Sequence, residues 1–144
     1  MVTKAPRELD IGYELPSVTI KAVMRFGGGS AGPSSWDPEK WKSDVHEHRW
    51  ARERGYRAGL AEGPPHVDHI ILMLVDLVGE AWYGSGKISV KFTNPMYHGD
   101  ILNIGGKLVD KVREDSGTRL VFDVWIKKED GTQTARGTAS VLVD

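Results

Sequence analysis

Cysteine is absent from the 144 residues. That absence removes disulfides, thiolate nucleophiles and cysteine-ligated zinc together. An excess of one charge is also missing, since 19 Lys and Arg stand against 20 Asp and Glu, a net of −1. Without a basic stripe, nucleic acid is not an expected partner. No apolar run reaches membrane-spanning length, because Asp68, Asp76 and Glu80 interrupt the longest one. The opening MVTKAPRELD lacks the apolar core of a signal peptide, so a cytoplasmic protein with no membrane partner is expected. No internal repeat is visible. What is present, 40% hydrophobic and 27% charged residues, suits one globular domain over 1–144.

Along the chain, residues 1–16 are polar and punctuated by Pro6, Gly12 and Pro16, and read as an arm over the surface. Val18 to Phe26 fits both a strand and a helical stripe, and is read as a strand start turning into a short helix. Gly27 to Trp36 (GGGSAGPSSW) is a loop by composition. It lacks the Gly-Lys-Ser/Thr of a phosphate cradle and reads as a connector. Asp37-Pro38 suits a helix start, and short helices anchored by Trp41, Val45, Trp50 and Ala51 are expected across 27–54.

One longer helix is expected over about residues 66–82. Val67, Ile70, Ile71, Leu74, Val75, Val78, Ala81 and Trp82 recur at helical spacing, and Asp68, Leu72, Asp76 and Glu80 form a mostly charged row. Most of its circumference should be buried, with Gly84-Ser85-Gly86 ending it. Strands follow. Ile88, Val90 and Phe92 alternate with Lys87, Ser89 and Lys91, and a turn at Tyr97-His98-Gly99-Asp100 leads to Leu102, Ile104, Gly106 and Leu108. Leu120 to Ile126 and Ala135 to Val143 alternate likewise, with Asp130-Gly131 as a hairpin turn. Three successive antiparallel connections are the natural reading. The class is α+β, a sheet wrapped around a helix.

Two segments, ARERGYRAGLAEGPP (51–65) and VKFTNPMYHGD (90–100), resemble the MaoC-like acyl-CoA dehydratases, or type 2 enoyl-CoA hydratases, of the hot-dog superfamily. The first is similar to that family's Gly-aromatic pair and Ala-x-Gly entering the central helix. The second is similar to its strand ending in Phe, followed by Pro-x-x-x-Gly-Asp. The resemblance covers about residues 43–143 and implies the hot-dog fold. It also implies a catalytic Asp followed five residues later by His, commonly within Asp-x-Asn-Pro-x-His. The chain departs from that pattern. Counting back from Gly55 without a gap sets the family's His on Val45, and one deletion sets it on His46, two residues after Asp44. Five residues before His46 stands Trp41, not an acid.

Adding water to an enoyl thioester requires a base for water, an acid for the α-carbon and donors for the enolate-like oxygen. His46, with Asp44 as partner, is the base candidate, since histidine titrates near neutral pH. By resemblance Gly63 is the oxyanion donor. Pro64 and Pro65 lack N–H groups, so Gly63 and His66 are the nearby backbone donors. Glu62 is a substitute base, or merely a charge favoured at a helix N-terminus. Trp41 and His66 are substrate-binding candidates. His48 is a weaker base candidate, Trp36 is a further pocket candidate, and Lys87, Lys91, Arg113 and Arg119 could meet CoA phosphates. His66 and His69 share a helical face, but two imidazoles without a nearby third ligand are insufficient, although Glu62 or Asp68 could help, and no metal is expected.

The expected activity is that of a MaoC-like hydratase or dehydratase on an acyl-CoA or acyl-carrier thioester, with CoA as part of the substrate and no cofactor. A hot-dog thioesterase using Glu62 or Asp44 is the alternative, as is a catalytically silent acyl-CoA-binding subunit. The resemblance also implies a homodimer or higher homo-oligomer, since hot-dog domains join edge to edge with the pocket at the junction.

Overall fold

The alternating runs form strands of one five-stranded antiparallel sheet in the computed structural model, which describes residues 4–22, 45 and 48–144, His48 by its backbone alone. The strands are β1 (Val18–Lys21), β2 (Lys87–Phe92), β3 (Ile101–Glu114), β4 (Gly117–Lys128) and β5 (Gln133–Val143). Their spatial order is β1-β3-β4-β5-β2. Helix α1 spans His48–Glu53, α2 Pro64–Val78 and α3 Ala81–Ser85.

The two long hairpins follow the sequence pattern. Leu108 opposes Phe122, Phe122 opposes Ala139, and Ile126 opposes Ala135, so alternate residues of β3, β4 and β5 share one inner face. Leu102, Ile104, Leu108, Leu120, Phe122, Ile126, Ala135 and Val141 are fully buried there, against Ile70 and Leu74 of α2. Gly131, at φ +87°, makes the expected turn between β4 and β5.

The connection from β2 to β3 is not a hairpin. β2 pairs with β5 at one edge, whereas β3 pairs with β1 near the other. Residues 93–100 therefore cross the end of the sheet. Period-two alternation places a strand on a face but says nothing of its neighbour.

The central helix also differs from the expected 66–82. It begins at the prolines, which lose nothing in a first turn whose N–H groups have no intrahelical partner. It stops at Val78 because Gly79 takes φ +61° and ψ −137°, closed by its N–H to the Val75 carbonyl. Trp82 belongs to α3, where it is buried. The buried stripe of α2 is narrower than expected: His66, Ile70, Met73 and Leu74, flanked by half-buried Val67, Ile71, Val75 and Val78. Asp68, Leu72, Asp76 and Glu80 form the exposed row.

The N-terminal arm is more than a surface strap. Leu9 and Leu15 are buried, and Gly12, Tyr13 and Leu15 exchange backbone hydrogen bonds with Gly106 and Leu108 of β3. Of the short helices expected across 27–54, α1 is present, and the rest of that expectation falls outside the described residues, as does any helix after β1.

Candidate functional site

Crossing the sheet brings residues 93–100 onto the start of α2. Ala61 N–H donates to the Met96 carbonyl at 2.7 Å, and Leu60 bridges Tyr97 in antiparallel fashion. Phe92, the last residue of β2, lies against Gly63. A Cβ added at Gly63 would sit 2.5–2.8 Å from three carbons of that ring, so only glycine fits without the ring moving. The chain turns beyond Tyr97 at Gly99, φ +90°, and Asp100 Oδ2 accepts the Tyr97 N–H at 2.8 Å. Asp100 also pairs with Lys128 Nζ at 3.0 Å and Arg57 Nη2 at 3.5 Å, and Arg57 stacks over the Tyr97 ring. The two segments singled out in the sequence are thus in contact.

At this junction two buried polar side chains stand together. Glu62 and His66 are each 5% exposed, and with Thr134 they are the buried polar or charged residues among those described. Thr134 is satisfied, donating its hydroxyl to the Ile126 carbonyl. Neither the Glu62 carboxylate nor His66 Nε2 has a hydrogen-bond partner among the described residues. Unpaired buried polar groups are costly and call for a reason.

His66 Nδ1 lies 2.5 Å from the Glu62 carbonyl oxygen, one helical turn back. Burial pushes its pKa below the ordinary imidazole value; the Glu62 carbonyl bond opposes this, His69 lowers it further and the Glu62 charge raises it.

The backbone donors differ from the expected pair. His66 N–H is consumed by the Gly63 carbonyl at 2.9 Å and cannot serve an outside oxygen. Gly63 N–H donates to no described residue, and it stands at the positive end of a 15-residue helix whose next two residues are prolines. A single amide remains, beside a buried carboxylate. Such an arrangement can bind a thioester oxygen, polarise it and hold a water near it.

Trp41, Asp44 and His46 lie outside the described residues, as do Trp36 and the side chain of His48. Val45, the ungapped position of the family's His, accepts the Leu60 N–H through its carbonyl at 2.9 Å. That bond ties Val45 to the residue two before Glu62. Lys87 and Lys91 are exposed on the sheet face opposite α2, and Arg119 is paired with Glu114. Among the described residues no three His, Asp or Glu cluster as metal ligands, and no helix is long and apolar enough to cross a membrane. The sequence signal missed was the burial of Glu62 and His66. Its trace was their i, i+4 spacing across a Gly-Pro-Pro helix start.

Comparison with solved structures fixes the architecture. A MaoC-like dehydratase from Rhodospirillum rubrum superposes with TM-score 0.71 at 18% identity, over 94% of this chain and 93% of that one. The fold is the hot dog. An (R)-hydratase from A. caviae involved in PHA biosynthesis gives TM-score 0.69 at 15% identity, with 96% and 99% covered. A thioesterase superfamily member from Thermus thermophilus gives 0.57 at 12%, with 94% and 84% covered. No protein-family model and no curated protein matches the sequence. At these identities the hot-dog likeness carries the fold and leaves the reaction to the site.

Proposed function

We propose that this chain adds water to, or removes it from, the double bond of an enoyl thioester, as a hydratase or dehydratase acting on acyl-CoA or an acyl-carrier thioester. One observation carries the reading: the Gly63 amide at the positive end of α2 adjoins the buried Glu62 carboxylate, and neither has a partner among the described residues. As water attacks the β-carbon, charge develops on the thioester oxygen, and a fixed N–H there stabilises the transition state more than the ground state. Glu62 is placed to orient water or steady a nearby positive charge. The likeness to the dehydratase and (R)-hydratase folds supports the choice of reaction. Asp44 and His46 remain candidates by resemblance to the MaoC-like pattern. Two copies joined edge to edge complete the proposal.

The Glu62 carboxylate also favours a second reading, in which it activates water against the thioester carbonyl itself. That chemistry releases a thiol, and the likeness to a thioesterase superfamily fold is consistent with it. Crotonyl-CoA separates the two. Hydration removes its ultraviolet absorbance without free thiol, and hydrolysis releases thiol that a disulfide reagent detects. Neither signal, across short and medium acyl chains, would mark a silent thioester-binding subunit and overturn both enzymatic readings.

A further inference from the structure

Resting on that reading, we infer that His66 is the proton carrier of the site, its Nε2 taking a proton from water and returning it to the substrate. A carbonyl oxygen only accepts, so the contact with Glu62 requires the proton on His66 Nδ1. In the neutral ring the lone pair then sits on Nε2. Nε2 is unpartnered among the described residues, although the residue is only 5% exposed. A histidine whose only task was to close the helix start would need Nδ1 alone. Here the Nδ1 bond fixes the ring, and the opposite nitrogen is left available within one turn of the Gly63 amide.

The step balances without a second acid. Water oxygen bonds the β-carbon as one of its protons passes to Nε2. The C=C pair moves to the α-carbon and thioester oxygen, which Gly63 N–H holds. The imidazolium then gives that proton to the α-carbon, so His66 ends neutral and product carries both hydrogens of the water. The Glu62 carboxylate faces the transient imidazolium charge. Burial keeps the ring neutral between turnovers, the state the first step needs.

The test is crotonyl-CoA hydration by the full chain and by His66→Asn and His46→Ala, each checked by thermal unfolding. Asparagine keeps a side-chain N–H for the Glu62 carbonyl but has no second nitrogen base. The expected result is kcat lower by about a hundredfold or more in His66→Asn, with KM within a few-fold and the melting transition retained. Near-normal kcat in His66→Asn, or a comparable loss confined to His46→Ala, overturns the assignment and leaves the hydratase reading standing. No hydration by the unaltered chain overturns that reading and this one with it. Should His66→Asn not fold, nitrogen NMR of the unaltered chain decides. A proton on Nδ1, with an Nε2 resonance that moves on adding saturated butyryl-CoA, supports the role. A proton on Nε2, or no movement, refutes it.

Discussion

Glycine 63 is where local geometry and chemistry cannot be separated. Its missing side chain lets the Phe92 ring close on the helix start, and its N–H is the donor left over by two prolines and an internally bonded His66. In Gly63→Ala the new methyl must displace the Phe92 ring, and under the proposed reaction a shift of the Gly63 amide with it spoils the alignment. Turnover should fall by about a hundredfold. If the clash is the cause, adding Phe92→Ala should recover part of that loss. Equal loss in single and double variants would place the defect elsewhere. His66 makes a separate prediction about pH. Its folded pKa lies below the ordinary value of 6.5 chiefly through burial, with His69 lowering it further and the Glu62 carbonyl and charge opposing. The unfolded chain therefore binds the proton first, and stability falls as pH drops through the ordinary histidine range, levelling off below the lowered folded value. Urea midpoints at pH 7.5 and 5.5 should differ less in His66→Asn than in the unaltered chain. An unchanged pH dependence would show that His66 does not resist protonation.

At the scale of elements, the sequence announced the strands and the existence of the helix because burial on one face forces a period. Leu102, Ile104 and Leu108, or Leu120, Phe122 and Val124, could hardly be arranged otherwise. It did not announce that β2 pairs with β5, because strand pairing is decided by long-range contacts that leave no local trace. The helix end is hidden for a different reason. Apolar spacing continues through Ala81 and Trp82, and only the backbone angles of Gly79 reveal the break. Those angles belong almost to glycine alone. Gly79→Ala should cost about 1–3 kcal/mol although its methyl meets no atom within 4 Å. Gly84→Ala, inside α3 and equally uncrowded, should instead be neutral or stabilising by up to about 1 kcal/mol. Urea unfolding of the two variants checks the contrast, and matching effects would mean that Gly79 is not held by conformation. The site was half legible for a similar reason. Gly63 and its prolines are marked by type and order, and Glu62 and His66 stand out as candidates by residue type, whereas their burial at one junction leaves no local trace in the sequence.

The whole molecule presents an unfinished edge. Among the described residues β2 bonds to β5 on one side only, and Phe92 at its end is 41% exposed. An open strand edge invites a second strand, and a two-fold axis lets the same strand from another copy supply it. Lys87 and Lys91 restrict how that pairing can occur. An antiparallel pair centred on Ser89 would set Lys87 opposite the other copy's Lys91, like charges in direct opposition. Centring on Val90 instead sets Lys91 against Ser89 and Phe92 against Ile88, pairing charge with hydroxyl and ring with aliphatic chain. We therefore expect light scattering at micromolar concentration to give twice the mass of one chain. The lack of native cysteine makes the register testable without background. Val90→Cys, meeting its own copy across the axis, should oxidise to a covalent dimer, while Ser89→Cys should stay largely reducible and unlinked. Efficient linkage through residue 89 would shift the axis by one position, and a single-chain mass throughout would remove the edge-to-edge assembly altogether.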